Sequence, residues 1–181
     1  SKDIDAYERL IEQIEMSSIQ KVIFISSTSV YPVSNSLVTE ETTTMNTPLS
    51  AIENLFRDTT FFETTIIRFA GLFGPGRHPG SWFKNGKTIP QPNGFVNMIH
   101  LEDCIEIIHE ILDQDCWGTT FNACSNDHPS RRDFYTNARK SLNFENPIFE
   151  ENSQLKYKII SSKKLQEDLS YQFIHDNLLD I

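Results

Sequence analysis

The run Lys21-Val22-Ile23-Phe24-Ile25, closed by Ser26-Ser27-Thr28-Ser29-Val30-Tyr31, constrains this chain more than any other stretch. Its apolar residues are continuous rather than alternating, the pattern of a parallel strand covered on both faces. Such strands belong to open α/β sheets, whose ligands sit outside the strand carboxyl ends. The hydroxyls of Ser26 to Ser29 therefore mark one wall of a candidate site. Other periodicities agree with an α/β chain. Ile4, Tyr7, Leu10, Ile11 and Ile14 recur at helical spacing, with Asp3 and Asp5 where a helix N-terminus favours negative charge. A Thr- and Ser-rich loop runs from Pro32 to Met45, and Thr47-Pro48 then supplies a cap and first residue for a helix over about residues 48–62.

Thr64–Phe69 reads as the next strand, and the Gly- and Pro-rich stretch from Gly71 to Gly94 as a connection long enough to be functional. Leu101, Ile105, Ile108 and Leu112 mark an amphipathic helix and Thr119–Ala123 a strand, while Ser130 with Asp133 starts a helix carrying Phe134, Ala138 and Leu142. Short strands at Pro147–Phe149 and Tyr157–Ile160, then a helix capped by Ser161 or Ser162 and running through Leu169, make a less regular end. Alternation of strand and helix predicts a parallel sheet. No repeat or linker divides the chain, so one domain is expected over residues 1–181: sheet and helices at 1–70 and 96–125, a long loop at 71–95, and a C-terminal segment at 126–181.

Composition narrows the function classes. Ser1 to Gln20 holds no uninterrupted apolar run, so neither a signal peptide nor a membrane span is predicted, and a cytoplasmic location is expected. Cys104, Cys116 and Cys124 are odd in number without a CxxC pair, which predicts reduced, mostly buried thiols rather than disulfides or structural zinc. His109, His128 and His175 lack metal-ligand spacing, so no metal site is predicted. A net charge of -9 opposes nucleic-acid binding. Yet Thr64 to Leu101 contains no Asp or Glu and holds Arg68, Arg77, Lys84 and Lys87. Either part of this stretch is a buried strand, or a basic loop on an acidic body receives a small anion.

Together with Phe69-Ala70-Gly71-Leu72-Phe73-Gly74-Pro75-Gly76-Arg77 and Asn97-Met98-Ile99-His100-Leu101-Glu102-Asp103, the Ser26–Tyr31 run resembles the extended short-chain dehydrogenase/reductase superfamily. The similarity is to its nucleotide-sugar epimerase and dehydratase branch, in particular the atypical YeeZ-like subgroup, and it covers most of the chain. It implies a partial Rossmann-type, doubly wound parallel sheet with a small irregular C-terminal substrate-binding portion. It also implies NAD or NADP as cofactor and a small polar or nucleotide-linked anionic substrate. In that family the strand at 21–26 is typically the fifth, so the chain resembles the C-terminal two thirds and lacks the glycine-rich strand, turn and helix. The glycine cluster Gly71, Gly74, Gly76 and Gly80 is broken by Pro75 and is not followed by a helix. A sheet beginning at 21–26 presents an apolar edge, which invites pairing with a second copy or another chain.

Catalytic members of the family place a Ser or Thr hydroxyl at the strand end, and a Tyr with a Lys four residues later on the next helix. The hydroxyl falls on Ser27, with Thr28 beside it; the alternative is that these hydroxyls cap local backbone. Anchoring on Pro48 puts the Tyr and Lys positions at Ile52 and Phe56, which cannot exchange a proton, so impaired catalysis is expected. Tyr135 and Arg139 repeat a Tyr-x-x-x-Arg spacing in a later helix and read as packing. The resemblance places Ser26, Phe69, Gly71 and Leu72 at the cofactor, and Thr28, Arg77, His78, Trp82, Lys84, His100 and Asp103 at the substrate. Arg77 offers a fork of donors for phosphate or carboxylate, or is a solvated loop Arg. Trp82 and Phe83 either stack on a sugar or base or pack beneath the loop. His100 is a general acid or a structural histidine, and Asp103 suits a helix first turn whatever its role. Two function readings follow, an NAD(P)-dependent epimerase, dehydratase or reductase-like protein, or a non-catalytic small-anion-binding or protein-interaction module of the same fold; a fragment without function of its own is a third.

Overall fold

A computed structural model describes residues 2–83 and 86–181. Its central sheet has three parallel strands in the order β1-β3-β6: β1 at Lys21–Ser27, β3 at Glu63–Phe69 and β6 at Thr120–Ala123. Ile25 stands beside Ile67, and Ile67 beside Phe121. Side chains alternate between faces along a strand, so Phe24 and Ile66 share one face while Ile25, Ile67 and Phe121 share the other. The first face is covered by α1 (Lys2–Glu15) and α2 (Pro48–Asp58). Phe24 stacks on Phe56 at 4.6 Å, and Tyr7 meets both rings edge-on at 5.8 and 5.9 Å. The second face is covered by α3 (Leu101–Asp113), whose Cys104, Ile107 and Ile111 pack with Ile67 and Phe121; α5 (Lys163–Leu169) adds Leu165 and Leu169. Ile67, Ile107, Ile111 and Phe121 have no exposed surface, and each contributes about 1.5–3 kcal/mol by burial. A separate cluster gathers Phe73, Ile89, Met98 and Leu178 around Phe134 of α4 (Arg131–Ser141).

The expected helix starts are present. Thr47 accepts from the Ser50 amide at 3.1 Å while the Ser50 hydroxyl accepts from the Thr47 amide at 2.9 Å, a reciprocal cap with Ser at the third position. Ser130 caps α4 and its hydroxyl bonds Asp133. The second helix stops at Asp58, short of residue 62, because the chain turns extended at Thr59 and folds Phe62 back into the aromatic cluster. Two short strands stand inside expected loops, each paired in parallel: β4 (Gly71–Phe73) with β5 (Met98–His100), and β2 (Leu37–Val38) with β7 (Ile159–Ile160), which lies within the strand expected at 157–160. The expected strand at 147–149 is a single bridge between Phe149 and Ile89.

The expectation that β1 is covered on both faces fails at Ile25, which is 48% exposed. The cause is the position of α3, which is tied to the C-terminal segment: Asp103 accepts from Tyr171, and Gln114 donates to the Leu169 carbonyl. Its opposite flank, formed by Leu101, Ile105 and Leu112, is left exposed. At about 100° per residue these three lie within about 40° of one another. Among the described residues, the outer edge of β1 has no strand partner, and no helix is long and apolar enough to cross a membrane. Cys104 and Cys124 are buried free thiols and Cys116 is half-buried; burial pushes the Cys104 thiol up to about 12, which leaves it unreactive.

Candidate active site

Three polar side chains stand in register across the sheet near the strand carboxyl ends, on the face that α2 covers: Ser26, Arg68 and Asn122. From α2, the buried Glu53 accepts the Ser26 hydroxyl at 2.6 Å and Arg68 Nε and Nη2 at 2.9 and 2.5 Å. Arg68 Nη1 donates to the Tyr31 hydroxyl at 2.5 Å, which donates to Asn122 Oδ1 at 2.8 Å. Burial works against the Arg68 charge, yet the bonds to Glu53 and Tyr31 outweigh it and raise its pKa. This network fixes both ends of the Ser26–Tyr31 run.

A cleft of about 370 Å³ opens where β1 and β3 end, with Ser27 and Thr28 on one wall and Gly71, Asn97, Arg131 and Lys158 around the rest. Lys158 Nζ donates to the carbonyls of Thr28 and Tyr31, each at 2.8 Å. Asn97 donates to the Lys158 carbonyl at 2.9 Å and accepts from the Ile160 amide at 2.8 Å, so a late segment is pinned beside the strand end. Burial lowers the Lys158 pKa. Arg131, the first residue of α4, is anchored through Nε to the Pro90 carbonyl at 2.9 Å and lies 5.4 Å from the Tyr135 ring centre. The Ser27 hydroxyl accepts from the Ser29 amide at 3.1 Å, capping the short turn at Thr28–Val30, while its residue lines the cleft. The capping alternative for Ser27 is therefore present, at a residue that lines the cleft.

The remaining predicted residues scatter. Ser26, assigned to the cofactor, is 6% exposed with its hydroxyl spent on Glu53, and Phe69 is 6% exposed in the core. Leu72 is exposed on β4. Arg77 is not at the cleft: its Nε donates to the Leu72 carbonyl and its guanidinium lies 5.6 Å from the Trp82 ring centre. Trp82 packs edge-on to Tyr135 at 6.3 Å, the packing alternative for that residue. His78 accepts from the Gly80 amide and faces Ser141. Lys84 lies outside the described residues. Asp103 has no exposed surface, and its oxygens accept from Tyr171, the Ile174 amide and the His175 amide, so it anchors the C-terminal segment. Ile52 and Phe56 are buried in the aromatic cluster.

The fold also assembles residues that sequence spacing kept apart. His100, Glu102 and His175 bring possible ligand atoms within 4.8 Å of one another. Glu102 bonds His175 at 2.7 Å, and the two imidazoles tilt face to face at 3.7 Å. His100 Nδ1 accepts the Glu102 amide as a helix cap, which leaves the proton of the neutral ring on Nε2. That tautomer and the ring overlap suit an ion pair and a stack better than a shared cation.

No family model matches the chain. Protein YeeZ of Escherichia coli K12 is 34% identical over 176 residues, 94% of this chain and 64% of YeeZ. The chain thus spans just under two thirds of the curated relatives it matches. Among solved structures, a conserved protein from Silicibacter pomeroyi of unknown function superposes with a TM-score of 0.80 at 21% identity, over 95% of this chain and 68% of that one. UDP-glucuronic acid 4-epimerase from Bacillus cereus, in complex with NAD, superposes with 0.78 at 18% identity, over 99% and 67%. The chain has the Rossmann-like fold of these structures and is similar in sequence to YeeZ. Whether a YeeZ-like chain of this extent can cradle a dinucleotide is tested by its glycines. A Cβ on Gly71 would meet Met98 Sδ at 2.6 Å, one on Gly80 the Ala138 carbonyl at 2.2 Å, and one on Gly74 His100 Nε2 at 3.0 Å. Protein atoms fill these three spaces and leave only Gly76 of the four open, so the cluster does not form a continuous cradle for a diphosphate.

Proposed function

We propose that this chain, read as one cytoplasmic domain over residues 1–181, is the substrate-side portion of an NAD(P)-dependent nucleotide-sugar epimerase, dehydratase or reductase-like protein, catalytically impaired as it stands. The cleft at the ends of β1 and β3 carries the reading: Ser27, Thr28 and two cations, Arg131 and Lys158, line it together, where open α/β sheets receive ligands. Impairment is supported by the apolar Ile52 and Phe56, and by Glu53, the ionisable α2 side chain at the strand end, being consumed by Arg68 and Ser26. Thermal melts with UDP-sugars, NAD and NADP test it. A nucleotide sugar at about a hundred times its Kd adds about 2.7 kcal/mol, a rise of roughly 5–10 °C for a chain of this size. The dinucleotides alone are expected to shift the melt little and to undergo no reduction. Silence toward every nucleotide sugar overturns the substrate reading, and turnover of NAD overturns the impairment.

The interaction reading is favoured by a different observation, the bare Ile25 face with the exposed flank of α3. Its occupant is a further strand and helix of the same fold, from the third of YeeZ outside the matched 64%. Supplied as a separate polypeptide, that third is expected to slow hydrogen exchange in β1 and α3. A chain that instead dimerises through this face excludes such an occupant.

A further inference from the structure

The donors around the cleft outnumber the acceptors. Arg131 spends Nε on the Pro90 carbonyl, and among the described residues its Nη groups have no partner, leaving that side of the guanidinium fork free. Lys158 has three ammonium protons and spends two on carbonyls. Tyr135 is 6% exposed and lines the cleft, and among the described residues its hydroxyl has no hydrogen-bond partner, yet it is not sealed from solvent as Asn122 Nδ2 is. None of the lining residues is acidic. Two cations held this close to apolar walls, with no carboxylate to answer them, carry a desolvation cost that a bound anion offsets. The polar hollow lined by Arg57, Arg68 and Lys164 differs, because the carboxylates of Glu40 and Glu41 line it as well.

Size limits what enters. At about 370 Å³ the cleft lies at the small end of ligand pockets, enough for one end of a nucleotide-linked molecule. Ser27, the position that the family resemblance gives to the reacting group, stands in its wall.

We propose that the group seated beside Ser27 is acidic, a carboxylate or phosphate at the non-nucleotide end of the ligand, held by Arg131 and Lys158 with the Tyr135 hydroxyl as a further donor. The inference rests on the substrate-side reading above and narrows it from nucleotide sugars in general to acidic ones. Arg131 then grips two oxygens side by side, and its anchor at Pro90 and stack on Tyr135 set the fork before the ligand arrives.

UDP-glucuronate and UDP-glucose differ only in the sugar carboxylate, so titration calorimetry with both on the full chain is the test. Preference for UDP-glucuronate by about 10-fold or more is expected, from the energy of a charge-assisted bond pair. Arg131→Gln should remove that preference while leaving UDP-glucose within about twofold, and Tyr135→Phe should weaken UDP-glucuronate by about 2–10-fold. Free glucuronate and glucose 6-phosphate, run in parallel, distinguish a carboxylate from a phosphate. Lys158 also holds the strand-end turn, so Arg131→Gln is the deciding variant, with its melt recorded to confirm folding. Equal binding of the two nucleotide sugars, lost equally in Arg131→Gln, would mean that the cleft takes the diphosphate and overturns the proposal. Binding of neither overturns the substrate-side reading itself.

Discussion

Glu53 and Arg68 are 1% and 4% exposed, so their pairing is governed by the cost of leaving either charge alone. Glu53→Ala strands the Arg68 guanidinium in a site with no other carboxylate at bonding distance, and is expected to cost about 3–5 kcal/mol, measured by urea unfolding. Arg57 also approaches Glu53, at 3.6 Å, but is 44% exposed; Arg57→Ala should cost under about 1 kcal/mol. An equal cost for the two variants would remove Arg68 as the partner that matters. This network shows where residue-level reading of the sequence stops. Ser26, Ser27 and Tyr31 announce themselves by clustering at a strand end. Glu53 and Arg68 do not, because α2 and β3 carry them to the same point from positions 15 apart. Arg77 lies beside a recognisable glycine loop and away from the cleft, whereas Arg131 and Lys158 reach it from a helix start and from the residue before a two-residue strand.

Among the elements, α4 packs against the glycine with the least room, Gly80. The short turn at Pro79–Ser81 lays Gly80 against the Ala138 carbonyl, where an added Cβ would stand at 2.2 Å from backbone oxygen. Backbone cannot yield as a flexible side chain does, so Gly80→Ala is expected to destabilise by about 1–3 kcal/mol or more, and to raise proteolysis within 71–95 ahead of the sheet. Gly71 makes the useful contrast, since its nearest obstacle is the movable Met98 thioether at 2.6 Å. Unchanged stability in Gly80→Ala would mean that the turn shifts freely on α4. The elements legible in advance were those with an apolar pattern or a capping residue: α1, β1, α2, β3, α3, β6, α4 and α5. Strands β2, β4 and β5 have two or three residues each, too few for any period to show, and they form only because distant partners meet; β7, equally short, lies within the strand expected at 157–160. The long loop was thus recognised as unusual, while its β4–β5 pairing, which places His100 and Asn97, was not.

The molecule as a whole carries two histidines that folding makes harder to protonate. Burial lowers the pKa of His128, whose Nδ1 lies 3.2 Å from the Val96 carbonyl, and burial with the neighbouring His175 lowers that of His100. In the unfolded chain both return to about 6.5. Between the lowered folded values and 6.5 the unfolded chain binds more protons, so stability falls as pH falls. The contribution of the two groups is complete above about pH 6.5 and is lost as acidification passes through their folded values. Glu102, held low by its bond to His175, adds a loss in the same direction only below its ordinary carboxylate range. Glu40 runs the other way: burial raises its pKa, so its protonation favours the folded chain as pH falls toward that range. The melting temperature should therefore decline between pH 7.5 and 5.5, ahead of any carboxylate effect, and His128→Gln should make that decline shallower. A melt that is flat or rises over this interval would show that both imidazoles accept protons in the folded state. The packing of Val96 and Phe73 around them would then have to open near neutral pH, on the same side of the molecule as the cleft.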